Sequence, residues 1–211
     1  MFIAVDICHV VAEYCIMPDL LDWIPQEELV WNYLSENPAA IHLLETNPDK
    51  IDWNHLSVNP AAIHLLKVNI DKIDWIYLSL NPTKWAVDLL EANLGRIYWP
   101  WLSANLAAIH LLEANQDKIN WEYLSENPAA IRLLEANPDK IDWYTLSRNP
   151  TKWAIHLLRT NPDKFNWWML LSANPAAIRL LEANPSKIDW YWLSKNPAAI
   201  HLLKANPDKI N

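Results

Sequence analysis

The chain holds 211 residues, 52% hydrophobic and 20% charged, a composition that argues against intrinsic disorder. Its net charge of −8 has the wrong sign for a phosphate-binding surface. Its single glycine argues against folds built on glycine-rich phosphate loops or type I′ hairpins, which need a positive φ.

Residues 1–33 read as an N-terminal cap. The opening stretch is apolar but lacks a basic leading region and carries Asp6, His9 and Glu13, so it does not fit a signal peptide. Cys8 and Cys15 form no CxxC motif and suit a reducing compartment better than a disulfide framework. No apolar run approaches the roughly 18 residues of a membrane helix, so a soluble intracellular protein is expected. Pro25 to Leu34 resembles half of the repeat that follows, with one residue added. The segment through Pro18 and Trp23 is expected to close the open end of the stack.

Residues 34–211 are one unit written eight times, the last copy incomplete: L-S-x-N-P-A-A-I-H-L-L-E-x-N-P-D-K-I-D-W-x-x. The leading leucines are Leu34, Leu56, Leu78, Leu102, Leu124, Leu146, Leu171 and Leu193, separated by 22, 22, 24, 22, 22, 25 and 22 residues. The third and sixth copies are long because each carries Asn-Pro-Thr-Lys-Trp, ending at Trp85 and Trp153. One further residue enters near Trp167 and Trp168.

Two asparagines per copy punctuate the unit, from Asn37 and Asn47 to Asn196 and Asn206, and proline follows 12 of these 16. Asparagine is a strong N-cap, and proline suits the first helical position, where its missing N–H costs nothing. Proline also pushes the residue before it out of the α region. Each Asn-Pro pair is therefore expected to end one helix and start the next, with Asp49 and its equivalents in a first turn. The first helix, Pro38 to Thr46, places Ala40, Ile41, Leu43 and Leu44 on one side, with His42 and Glu45 opposite. The second, Pro48 to about Val58, is expected to bury Ile51, Trp53 and Leu56. Such short helices are marginal alone, so copies must shelter one another. The expected fold is all-α, an α-solenoid of about eight two-helix repeats. The alternative is a leucine-rich-repeat-like horseshoe, because 22 residues falls within the range of about 20–29 for those repeats. Against it, Ile-Asp-Trp-x-x-Leu-Ser-x-Asn lacks their alternating leucines.

The tandem Asn-Pro-x-Ala-Ile-x-Leu-Leu-Glu-x-Asn-Pro-Asp-Lys-Ile-x-Trp unit resembles the Asn-Pro/Trp short tandem-repeat proteins of giant, mimivirus-like DNA viruses. The likeness covers residues 25–211. It implies a viral protein made in infected cells, in host cytoplasm or virion, and brings with it no activity and no set of binding residues. Copy three departs from the pattern at Leu94-Gly95-Arg96, and copies three and six at Thr-Lys-Trp.

Three rows of polar residues have plain readings. His42, His64, Asp88, His110, Arg132, His156, Arg179 and His201 form a ridge that is read as solvated, since mixed occupancy and helix spacing disfavour a metal ladder. Glu45, Lys67, Glu91, Glu113, Glu135, Arg159, Glu182 and Lys204 form a second solvated ridge. A basic row, Lys50, Lys72, Arg96, Lys118, Lys140, Lys164, Lys187 and Lys209, is flanked mostly by acids. The tryptophans from Trp53 to Trp190 are read as core.

The slots just after each of those tryptophans differ between copies and are rich in aromatics, the composition of interface hot spots. The candidate protein-binding face is therefore His55, Tyr77, Trp101, Tyr123, Tyr144, Tyr191 and Trp192, together with Trp85 and Trp153 of the long copies. No phosphate loop, HExxH spacing or GxSxG elbow occurs, so no catalytic residue, cofactor or metal is expected. The expected function is a non-catalytic scaffold for an unknown host or virion protein, with self-association open to the uncapped C-terminal end. The alternatives are nucleic-acid binding through the lysine row, or an accessory domain of a longer protein.

Overall fold

The computed structural model describes residues 29–164 and 168–210, and every regular element among them is helical. With no strand among the described residues, the horseshoe alternative is set aside. Of the N-terminal cap expected over residues 1–33, residues 1–28 lie outside the described residues.

The chain divides into two compact units, Met1–Ala108 and Ile109–Asn211. In the first, the α-helices are α1 (Trp31–Glu36), α2 (Ile41–Thr46), α3 (Trp53–Val58), α4 (Ile63–Val68), α5 (Trp75–Leu78), α6 (Lys84–Glu91) and α7 (Trp99–Ala104). In the second they are α8 (Ile109–Ala114), α9 (Trp121–Glu126), α10 (Ile131–Ala136), α11 (Trp143–Leu146), α12 (Lys152–Thr160), α13 (Trp168–Ala173), α14 (Ile178–Glu182), α15 (Trp190–Leu193) and α16 (Ile200–Ala205). Each unit is an α-solenoid stack. Equivalent helices of successive copies pack on one another, α1 on α3 and α3 on α5 in the first unit, α9 on α11 and α13 on α15 in the second.

The helices differ from the expected ones in one instructive way. The first segment of a copy is continuous, a 3₁₀ turn at Pro38–Ala40 running into α2. The second is broken: Pro48–Lys50 is a 3₁₀ turn, Ile51 and Asp52 are extended, and α3 begins only at Trp53. β-branched isoleucine suits extended backbone, and its equivalents Ile73, Ile97, Ile119 and Ile141 are buried there. A helix running on through this point would carry that side chain off the core. The true N-cap of α3 is then Asp52, whose carboxylate accepts from the N–H groups of Asn54 and His55 at 3.0 and 3.1 Å. Asp49 stands instead in the 3₁₀ turn.

Two leucines per copy form the centre of the core. Leu34, Leu44, Leu56, Leu66, Leu78 and Leu90 are closed to solvent in the first unit, and Leu112, Leu124, Leu134, Leu146 and Leu158 in the second. The second alanine of each Ala-Ala pair, such as Ala40, Ala62 and Ala130, is buried with them. Only a small side chain fits where the 3₁₀ turns of successive copies pack, Pro38–Ala40 against Pro60–Ala62 and Pro175–Ala177 against Pro197–Ala199.

Candidate functional site

What holds the aromatic slots in register is a pair of buried polar columns. The first asparagine of each copy works in two directions. Asn59 Oδ1 accepts from the Ala61 N–H at 2.9 Å, capping its own helix, while its Nδ2 donates to the Ser35 carbonyl one copy earlier, also at 2.9 Å. Asn81, Asn105, Asn149, Asn174 and Asn196 repeat this arrangement, each donating to a serine carbonyl and to the preceding asparagine carbonyl. The serine hydroxyl forms the second column. Ser35 Oγ donates to the Trp31 carbonyl at 2.7 Å and accepts from the Asp52 N–H at 3.0 Å, so each second helix fixes the start of the next.

The second asparagine behaves otherwise, and here the expected N-cap is corrected. Asn47 makes no side-chain bond to the turn that follows; its Nδ2 donates backwards to the Leu43 carbonyl at 2.9 Å. Asn69, Asn93, Asn115 and Asn137 do the same. They close helix C-termini, satisfying carbonyls that would otherwise lack a partner.

Upon this scaffold the slot two residues after the tryptophan becomes a ladder of rings. His55, Tyr77 and Trp101, from α3, α5 and α7, lie with ring centroids 5.1 and 5.2 Å apart, the second pair edge to face. Tyr98 joins at 5.5 Å from Trp101, also edge to face. Sequence reading missed Tyr98. Its signal was an aromatic in the slot where other copies carry the Asp52-type cap. His55, Tyr77 and Trp101 are half-buried, while Tyr98 and neighbouring Ile76 are exposed, so the cluster presents an apolar surface. His55 Nδ1 lies 3.2 Å from Asp52 Oδ1 but lacks hydrogen-bonding geometry to it.

The remaining predicted residues are placed as follows. In the second unit the equivalent slot of α11 holds Thr145, buried and donating to the Glu122 carbonyl at 2.7 Å, so an aromatic is absent there. Tyr123 is exposed on α9 and Tyr144 is half-buried on α11. Tyr191 and Trp192 pack edge to face at 5.7 Å, with Lys195 Nζ over both rings. Trp85 and Trp153 sit in the first turns of α6 and α12, on first helices, whereas the ladder runs along second helices. Thr83 and Thr151, one residue before these helices, are their N-caps.

The repeated tryptophans are not wholly core. Trp53, Trp75, Trp121 and Trp190 are half-buried, and the basic residue of the following copy covers each ring: Lys72 at 4.4 Å, Arg96 at 4.8 Å, Lys140 at 4.7 Å and Lys209 at 5.2 Å. An indole with a cation over its face keeps the rest of its ring in the stack without full burial. Four members of the basic row are thereby engaged as inter-copy contacts.

The histidine ridge also pairs between copies. Glu45 takes His42 Nδ1 at 3.1 Å and His64 Nε2, from the next copy, at 2.7 Å. Those hydrogen bonds, His64 first and His42 second, hold the Glu45 carboxyl below its ordinary pKa. Glu182 and His201 repeat the cross-copy pair at 2.7 Å. At Asp52, partial burial raises the carboxyl pKa, but the backbone and ring of His55 and the Asn54 N–H outweigh it, and the net shift is downward.

Among the described residues, no group of three or more His, Cys, Asp or Glu is placed to hold a metal ion. Nor is any described helix long and apolar enough to cross a membrane. Comparison with protein-family models, curated proteins and solved structures finds no match to this chain.

Proposed function

We propose that the protein is a non-catalytic interaction scaffold that takes a partner protein on the second helices of its first unit. The observation that carries this reading is the cluster of His55, Tyr77, Tyr98 and Trp101, four rings from three successive copies with exposed Ile76 beside them. Pre-packed aromatics lose little conformational freedom on binding, and clustered aromatics are the usual anchors of interfaces. Nucleic-acid binding has less support, because four members of the basic row are engaged over indoles. The likeness of the repeat to giant-virus proteins makes host and virion proteins of an infected cell the natural pool of partners.

The test is affinity purification of the tagged protein from infected cells, followed by direct binding to each protein recovered. Replacing Tyr77 and Trp101 together by Ala should weaken binding by at least about 2 kcal/mol, the scale of a hot-spot truncation. Trp85→Ala serves as a control on the first-helix side and should bind as before. Undiminished affinity in a double variant with wild-type circular dichroism would remove the site from this cluster.

A further inference from the structure

One neighbouring pair of copies in each unit shows a contrast in charge on the first helices. In copies one and two the three slots hold His42, Glu45 and His64, a carboxylate between two imidazoles. In copies six and seven the same slots hold His156, Arg159 and Arg179. Arg159 thus stands where most copies carry an acid, its Nη2 3.3 Å from His156 Nδ1. Glu182, the acid that α14 itself carries, is engaged by His201.

His156, Arg159 and Arg179 line an open groove of about 770 Å³ bounded by α12 and α14. Its lining combines exposed Lys152, His156, Arg159 and Arg179 with half-buried Ile155 and Ile178, and contains no Asp or Glu among the described residues. The volume lies within the range of ligand-binding clefts, about 300–1,000 Å³. Three fixed positive charges without an intervening acid are unusual in a chain of net charge −8.

We propose that this groove binds an acidic, amphipathic helical segment of a partner protein. Carboxylates on one side of such a helix meet Lys152, Arg159 and Arg179, while apolar side chains at spacings of three and four residues reach Ile155 and Ile178. A nucleic-acid backbone would meet the cations and leave both isoleucines uncovered, so charge and apolar lining together favour the peptide. The site is separate from the aromatic cluster, which belongs to the other unit, and each stands or falls alone.

Fluorescence anisotropy with the full chain tests this. The probes are a labelled peptide of about sixteen residues with Leu at helical spacing and Glu elsewhere, the same peptide with every Leu changed to Ser, and an oligothymidylate of similar length. The Leu/Glu peptide should bind and weaken as salt rises. The Ser peptide and the oligonucleotide should each bind at least about tenfold more weakly. Arg159→Glu combined with Arg179→Glu should cost the Leu/Glu peptide at least about tenfold, and the milder Arg159→Gln with Arg179→Gln should lose a smaller share. Tyr77→Ala with Trp101→Ala should leave that affinity as it was. The proposal is overturned by absence of peptide binding at low salt, by equal binding of the Ser peptide or oligonucleotide, or by unchanged affinity in both arginine variants.

Discussion

Glu45 shows how a repeated residue acquires a role from its neighbour one copy on. Alone on α2 it would be an ordinary solvated carboxylate, and its partner along the helix is His42. The bond from His64 Nε2 is shorter, 2.7 Å against 3.1 Å, and comes from α4. Because hydrogen bonds to the ionised form depress the folded-state pKa, the stabilisation by Glu45 is present above the ordinary carboxylate range. It is lost as pH falls through the lowered folded value. His64→Gln should bring the Glu45 titration back up toward the ordinary carboxylate value, as read by carboxyl carbon NMR. His42→Gln should move it less. A titration curve indifferent to residue 64 would show that the cross-copy bond does not form in solution.

At the scale of the element, short helices are held by side chains that belong to two copies at once. Asn81, itself buried, accepts from Thr83 N–H and Oγ1 at 3.1 and 2.7 Å, and donates within the core to the Ser57 and Asn59 carbonyls at 2.9 and 3.3 Å. Removing a buried, fully satisfied amide leaves several groups without partners, so Asn81→Ala should cost about 2–4 kcal/mol in urea denaturation. Asn81→Asp discriminates the two roles. It keeps the acceptor that faces Thr83 but sets an oxygen against the carbonyls of the previous copy, and should destabilise as much as the alanine. Were Asp tolerated, capping alone would matter and the column would contribute little. Asn47→Ala, which removes only a half-buried C-terminal cap, should cost about 0.5–1.5 kcal/mol.

For each unit as a whole, protection should follow how many neighbours a copy has. In the second unit Leu134 of α10 is closed to solvent, whereas its counterpart Leu203 of α16 is half-buried and Ile200 is exposed. Stacked repeats gain stability from nearest-neighbour interfaces, so opening begins at the copy whose apolar side chains are least covered. The Leu203 amide should exchange with deuterium at least about tenfold faster than that of Leu134. Equal protection, rising with protein concentration, would instead show that α16 is covered by another molecule, the self-association expected from its uncovered leucines.

Much of this architecture is legible in the sequence. The period, the helical character, the first asparagine as N-cap and the leucines in the core follow from local chemistry: cap preference, proline's fixed φ, and apolar spacing within one copy. Variation among otherwise uniform copies marks out the aromatic slots, but of the nine residues so chosen only His55, Tyr77 and Trp101 assemble into a ladder. Tyr98, the cations over the tryptophans, the His64 to Glu45 bond and the basic groove are not legible there. Each joins residues of different copies, and which of them meet depends on the register in which helices stack. Even the two kinds of asparagine, each followed by proline in most copies, part company for this reason. Asn59 finds a buried carbonyl of the previous copy within reach and binds it, while Asn47 finds none and turns back to its own helix.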